Sequence, residues 1–276
     1  MANNKTYEGN KMSFWVHRFK LKQYFIGIMI AMAIVIFHAG STILNNWSFL
    51  DQSPFLFTPF TKWISIDSGP ITLLLFLSLP LLCCVSGSQI YIDDVESGFI
   101  WHVVQKKPLR KYILNIEMIS FFSGFVTVFI PLLINYAILW FFLPYLLPNL
   151  IINENLTVLN TTSFFANTYY TNPLLFIVFY MLLPSCFGGI YALFSTMIAC
   201  ITRKKFLSVT ASFLFVSVLS VISGILPNIF YAPNLISIAS SPVYLPSFLR
   251  VVSSCMIIMS FICISITLGV KRYVNQ

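Results

Sequence analysis

Long apolar runs alternate with short polar stretches along the whole chain. Six runs, near residues 24–44, 70–90, 118–143, 173–200, 206–226 and 249–270, carry almost no formal charge in their interiors. Each has about twenty or more residues, the length an α-helix needs to cross ~30 Å of hydrocarbon at ~1.5 Å per residue. An unpaired charge at the bilayer centre costs at least about 2.5–3.5 kcal/mol, which explains its absence there. The pattern predicts an all-α integral membrane protein: six transmembrane helices in a single domain spanning 1–276. The first run is longer than the ~7–15-residue core of a secretory signal, so it is expected to be retained.

Charge sets an expected orientation. Lys5, Lys11, Arg18, Lys20 and Lys22 precede the first run; Lys106, Lys107, Arg110 and Lys111 follow the second. Arg203, Lys204 and Lys205 follow the fourth, and Lys271 and Arg272 the sixth, whereas the alternate segments hold only Lys62 and Arg250. Basic residues accumulate on the cytoplasmic side, so both termini are expected inside. The net charge of +8 then reflects topology and contact with anionic lipid. It does not suit nucleic acid, because the basic residues are split among four membrane-flanking segments. The chain is 58% hydrophobic and 9% charged, against ~25% charged in soluble domains, which leaves no charged surface for a water-soluble fold.

The polar segments carry the remaining information. Residues 11–23 read KMSFWVHRFKLKQ. Trp15, Arg18, Phe19 and Lys22 suit a basic, aromatic helix lying in the interface, or simply a positive flank. Residues 91–117 begin with Asp93, Asp94 and Glu96, then Gly98. An apolar run from Phe99 to Val104 follows, then Lys106, Lys107, Pro108, Arg110, Lys111 and Tyr112. Gly98 permits a tight turn between two short helices, and Pro108 can end one element and begin the next. Phe99, Ile100 and Trp101 would either offer an apolar knob to a partner or dip into the interface. Residues 227–248 carry no charge and four prolines. They suit a segment re-entering the membrane before the last span, where protein satisfies its backbone, or an apolar loop at the headgroups. Trp47, Trp63, Tyr169 and Tyr170 fit an interfacial aromatic belt.

The acids, Gly98, the apolar stretch and the Pro108-x-Arg110-x-Tyr112 sequence between the second and third of six runs resemble the ABC-2 type permeases of ABC transporters. The likeness covers the whole chain in topology and is specific over 91–115. It implies a bacterial plasma-membrane exporter subunit. The N-terminal interfacial helix and the loop (Asp94, Glu96, Gly98, Phe99, Trp101, Pro108, Arg110, Tyr112) would contact a cytoplasmic ABC ATPase dimer, and a second copy or a related permease would complete the pathway. The tight Pro-to-Arg spacing and Glu117, where a basic residue is common, depart from the family pattern. The apolar spans suit a hydrophobic or amphipathic cargo: a peptide, bacteriocin, antibiotic or lipid-linked molecule. A non-transporting immunity or scaffold protein is the alternative.

Chemistry of the chain's own is sparse. No GxxxxGK[ST] sequence occurs, so ATP would be bound by partner subunits and no cofactor is expected here. Cys83, Cys84, Cys186, Cys200, Cys255 and Cys263 lack metal spacing and read as small apolar residues. His38 and Asn135 are the polar residues inside runs. His38 reads as a transport-site group or as a headgroup-facing ring, and Asn135 as a hydrogen bond to a neighbouring helix. The lack of membrane carboxylates argues against an ion-coupled carrier.

Overall fold

A computed structural model describes residues 23–49, 54, 56–87, 89–106, 108–149, 158–226 and 229–274. The expected interfacial helix, with Trp15, Arg18, Phe19 and Lys22, lies outside these residues. The described chain is helical: α1 Gln23–Asn46, α2 Pro70–Gly87, α3 Gln89–Glu96, α4 Phe99–Lys106, α5 Leu109–Phe142, α6 Ala166–Thr171, α7 Pro173–Thr202, α8 Lys205–Ile225, α9 Pro233–Ile236 and α10 Phe248–Val274. Six helices are long and apolar enough to cross a membrane, with α2 and α3 together forming the second. The chain is a multi-pass membrane protein.

Five of the six runs match their helices closely. The third does not. α5 starts at Leu109, not near 118, and runs for 34 residues, about 51 Å at 1.5 Å per residue. Hydropathy locates the part of a helix that suits hydrocarbon. It is blind to polar turns such as Arg110-Lys111-Tyr112 that extend the same helix into water. The described part of 91–117 is therefore mostly helix, and among the described residues only 97–98 and 108 lie outside it.

α5 and α7 form the centre of the bundle. Glycine lets their backbones meet: a Cβ on Gly124 would stand 2.3 Å from the Gly188 carbonyl oxygen. Gly27 does the same for α1, where a Cβ would lie 2.4 Å from the Leu82 oxygen of α2. Small residues at such crossings replace the hydrophobic drive that lipid removes. α1 lies against α2 and α5, while α8 and α10 both pack on α7. α10 is the least buried span, and Met256, Ile257, Phe261 and Leu268 face outward on it.

One end of the bundle carries α3 and α4. The other is closed by a cap drawn from 56–69, 158–171 and 229–248. Thr58 and Thr61 exchange backbone-to-hydroxyl bonds of 3.0 and 3.2 Å, which fold 56–61 into a tight turn without regular structure. The turn delivers Phe60, Trp63, Ile64 and Ile66 into the core. Trp63 Nε1 donates to the Leu132 carbonyl at 3.3 Å, and Tyr169 Oη donates to the Phe60 carbonyl at 3.1 Å. Trp63 and Tyr169 are thus fully buried pieces of the cap, which corrects the aromatic-belt expectation for both. Trp47 is exposed beside the end of α1. The apolar segment ahead of the last span is buried from Ile236 to Ser241. Ala239 N donates to Ser65 Oγ at 2.9 Å, Ser240 Oγ to the Ile66 carbonyl at 2.8 Å, and Ser241 N to the Thr162 carbonyl at 3.1 Å. Protein therefore satisfies its backbone, as a segment without charge requires.

Candidate functional site

The connector between α2 and α5 is a clasp, built from the residues singled out in the sequence. Gly98 separates α3 from α4 with φ of 69°, a left-handed value that favours glycine. Pro108 stands at the N-cap of α5 with φ −59° and ψ 135°, where its missing N–H costs nothing. Tyr112, on the first turns of α5, donates its hydroxyl to Asp94 Oδ2 at 2.8 Å, and both side chains are buried. Asp94 thereby fastens α3 to α5. Charge-assisted bonds of this kind are about twice as strong as neutral ones.

The other acids point elsewhere. Lys205 Nζ, at the start of α8, lies 2.7 Å from Asp93 Oδ1 and 2.9 Å from Glu96 Oε2. Two carboxylates beside a helix N-terminus also suit its dipole. These groups are partly exposed, so the pairs contribute positioning more than stability. On the far side, Trp101 of α4 packs on Tyr273 of α10, with ring centroids 5.7 Å apart. Arg203, in a left-handed conformation between α7 and α8, lies over the same Tyr273 ring at 4.4 Å, a cation–π contact.

The connector thus touches α5 through Tyr112, α8 through Lys205 and α10 through Tyr273. Ile100 is fully buried, which corrects the expectation that it stands exposed with its neighbours; Phe99 is half-buried, and Trp101 is 42% exposed. The outward face carries Trp101, His102, Gln105, Lys106, Arg110 and Lys111. Glu117, two turns into α5, is buried near Cys200 and Cys263, and its Oε1 has no partner among the described residues.

A second polar group, under the cap, was only half legible in the sequence. Asn135 of α5 is fully buried. Its Nδ2 donates to the Val35 carbonyl of α1 at 2.9 Å, and its Oδ1 accepts from Ile64 N at 3.2 Å. The same Nδ2 lies 3.3 Å from His38 Nδ1, and His38 Nε2 lies 3.3 Å from Asp67 Oδ2. An amide donor at Nδ1 leaves the ring hydrogen on Nε2, aimed at Asp67. His38 is therefore neither headgroup-facing nor alone; it is a buried link between Asn135 and a loop carboxylate. Burial would raise the Asp67 carboxyl, but the His38 hydrogen bond and the Lys62 charge outweigh it and hold the group below its ordinary range. Thr72 donates its hydroxyl to the Asp67 and Ile64 carbonyls, fastening the cap to the start of α2. Depth was the available signal, since His38 and Asp67 both flank the same end of adjacent spans. The inward fold of 56–66 is what joins them.

Among the described residues no group of His, Cys, Asp and Glu is arranged to hold a metal. Against known protein families, curated proteins and solved structures, the chain has no match.

Proposed function

We propose that the chain is the membrane-spanning permease subunit of an ATP-driven ABC-2 type exporter in a bacterial plasma membrane. The connector carries this reading. It is clasped to three further spans, yet turns an aromatic and basic face outward. A partner docked on Trp101, Lys106, Arg110 and Lys111 would move the same ends of α5, α8 and α10 together. That is the property a coupling element needs if ATP-driven closure of two ATPase subunits is to shift a permease between two states. Asp94 and Tyr112 would hold the element's shape, Glu96 would tie it to α8, and Gly98 and Pro108 would set its turns. Phe99 would seat it, and Arg110 would face the ATPase. The basic residues favour the cytoplasm for this end, together with both termini. The buried stretch 236–241 would be the tip of a segment re-entering from outside, and a second copy or related permease would complete the pathway for a hydrophobic or amphipathic cargo.

The test is affinity purification of the full chain in mild detergent, with identification of what accompanies it. A P-loop ATPase should co-purify with the native chain and be lost from Trp101→Ala with Arg110→Glu, while the variant still inserts. Retention of the ATPase by that variant would place docking elsewhere. Biological activity with no ATPase bound would favour a non-transporting immunity or scaffold protein. Orientation is checked by cysteine labelling on a cysteine-free background: a probe added outside intact cells should reach Thr161→Cys and miss Ser97→Cys.

A further inference from the structure

The link between α7 and α8 is Arg203 and Lys204 alone. Both flanking helices are membrane spans, so so short a link cannot leave the headgroup layer. Hydrocarbon begins at once on either side of it, because Ile201, Phe206 and Leu207 are all exposed. A cation drawn below that boundary would lose its hydration, which fixes the depth of both charges. The connector's basic residues differ in this respect. Lys106 closes α4, and Arg110 and Lys111 lie on the first turn of α5, a helix of 34 residues whose start extends into water.

α10 brings two more cations to the same place. Its last turn holds Lys271 and Arg272. Two contacts set their position. A Cβ on Gly269 would stand 3.1 Å from Cys200 Cβ, so α10 and α7 meet about one turn before their basic ends. Tyr273 then lies under Arg203, whose guanidinium carbon is 4.4 Å from the ring centroid, and Trp101 packs on the same ring. Arg203, Lys204, Lys271 and Arg272 are all exposed. Nearby acids are already engaged: Asp93 and Glu96 by Lys205, and Asp94 by Tyr112. Among the described residues Lys204, Lys271 and Arg272 form no ion pair. Below this charged rim, Leu268 of α10 joins Ile201, Phe206 and Leu207 as exposed apolar surface.

We propose that the rim formed by Arg203 and Lys204 with Lys271 and Arg272 binds a lipid whose headgroup carries two phosphates, the chemistry of cardiolipin. The cations come as two pairs on two elements, and each pair can meet one phosphate diester. A lipid with a single phosphate answers one pair only. Two such lipids answer both, but each gives up its own freedom, whereas the second phosphate of one headgroup arrives already tethered. Basic pockets at the ends of spans recognise such headgroups through the same charge arithmetic. The acyl chains would lie on the exposed apolar flank directly below. A soluble diphosphate carries the charge but leaves that flank uncovered. The site rests on the membrane reading alone and does not depend on an ATPase docking at the connector.

The test uses the full chain, delipidated in mild detergent. It is titrated with cardiolipin, with phosphatidylglycerol at the same phosphate concentration, and with inorganic pyrophosphate. Native mass spectrometry counts bound lipid, and the thermal midpoint is followed in parallel. Cardiolipin should bind saturably, with half-saturation about fivefold or more below that of phosphatidylglycerol, the worth of one further cation near the surface. Pyrophosphate should leave the midpoint unchanged. Lys204→Gln with Arg272→Gln removes one cation from each pair. It should raise the cardiolipin half-saturation about thirtyfold, or about fivefold per charge, while helical content stays the same. Lys106→Gln with Lys111→Gln removes as much charge from the connector and should leave cardiolipin binding as it was. Equal half-saturation for the two lipids at matched phosphate would show only the general attraction of a basic end to an anionic surface, and would overturn the proposal. So would equal weakening by the two double variants, or no weakening by the first. Stabilisation by pyrophosphate alone would mark a site for a soluble anion and overturn it as well.

Discussion

Asn135 satisfies the Ile64 N–H of the cap and adds a second bond to the Val35 carbonyl, which the α1 ladder already engages. Asn135→Leu keeps the volume roughly constant and orphans the Ile64 N–H, together with His38 Nδ1. Each orphaned group costs about 1–3 kcal/mol. The thermal midpoint of the detergent-solubilised protein should therefore drop clearly, and a Leu variant as stable as the native chain would show that the amide is incidental. Asp67 gives a prediction in pH. Its carboxyl is lowered below the ordinary 3.8 in the folded protein, so ionised Asp67 favours folding, and this contribution is present above that value. It is lost as pH falls below 3.8 through the folded-state pKa, because the protonated acid gives up its His38 and Lys62 contacts. The midpoint should fall more steeply as pH drops below about 4 in the native chain than in Asp67→Asn. Sequence showed Asn135 as a helix-to-helix hydrogen bond and correctly so. It did not show His38 beside Asp67, because the partner is carried in by an irregular loop and periodicity says nothing about where such loops fold.

Among the elements, α5 and α7 approach so closely that their geometry depends on the absence of side chains. Gly124→Ala would place a methyl 2.3 Å from the Gly188 carbonyl oxygen and 2.7 Å from the Ala192 methyl. The helices must separate, at a cost of about 1–3 kcal/mol. Gly224→Ala, near the end of α8, meets nothing within 4 Å and should be neutral or stabilising by up to about 1 kcal/mol, since alanine favours helix. Paired melting curves would separate the two, and equal midpoints would mean the α5–α7 crossing is looser than described. Helix existence was legible from apolar length alone, and Gly98 and Pro108 were legible as turn makers because each has one conformational reason to be there. The start of α5 was not, since its first turns are polar and belong to water. Nor was the clasp, which depends on Lys205 and Tyr273, residues that read in sequence only as a basic flank and a tail.

For the molecule as a whole, the cap is the least expected feature. Loops at a membrane surface are ordinarily polar and exposed, yet here three of them share a core with the spans. Ile238, 1% exposed, lies in it, and Ile238→Asp would bury an unpaired charge at about 2 kcal/mol or more. Thr161→Asp changes an exposed position on a neighbouring strip of the same cap. The yield of folded, monodisperse protein should fall sharply for the first and little for the second, and equal yields would mean that 232–241 is not buried. Two of the cap's fastenings, Ala239 N to Ser65 Oγ and Ser240 Oγ to the Ile66 carbonyl, join residues 174 positions apart. During synthesis the first partner therefore leaves the ribosome long before the second exists. Loop entropy makes such contacts late ones, so Phe60, Trp63 and the Thr58–Thr61 turn must wait uncovered while four more helices are inserted. The cap works as a completion mark: until the segment between the fifth and sixth spans is in place, an apolar patch stands uncovered at that end of the bundle.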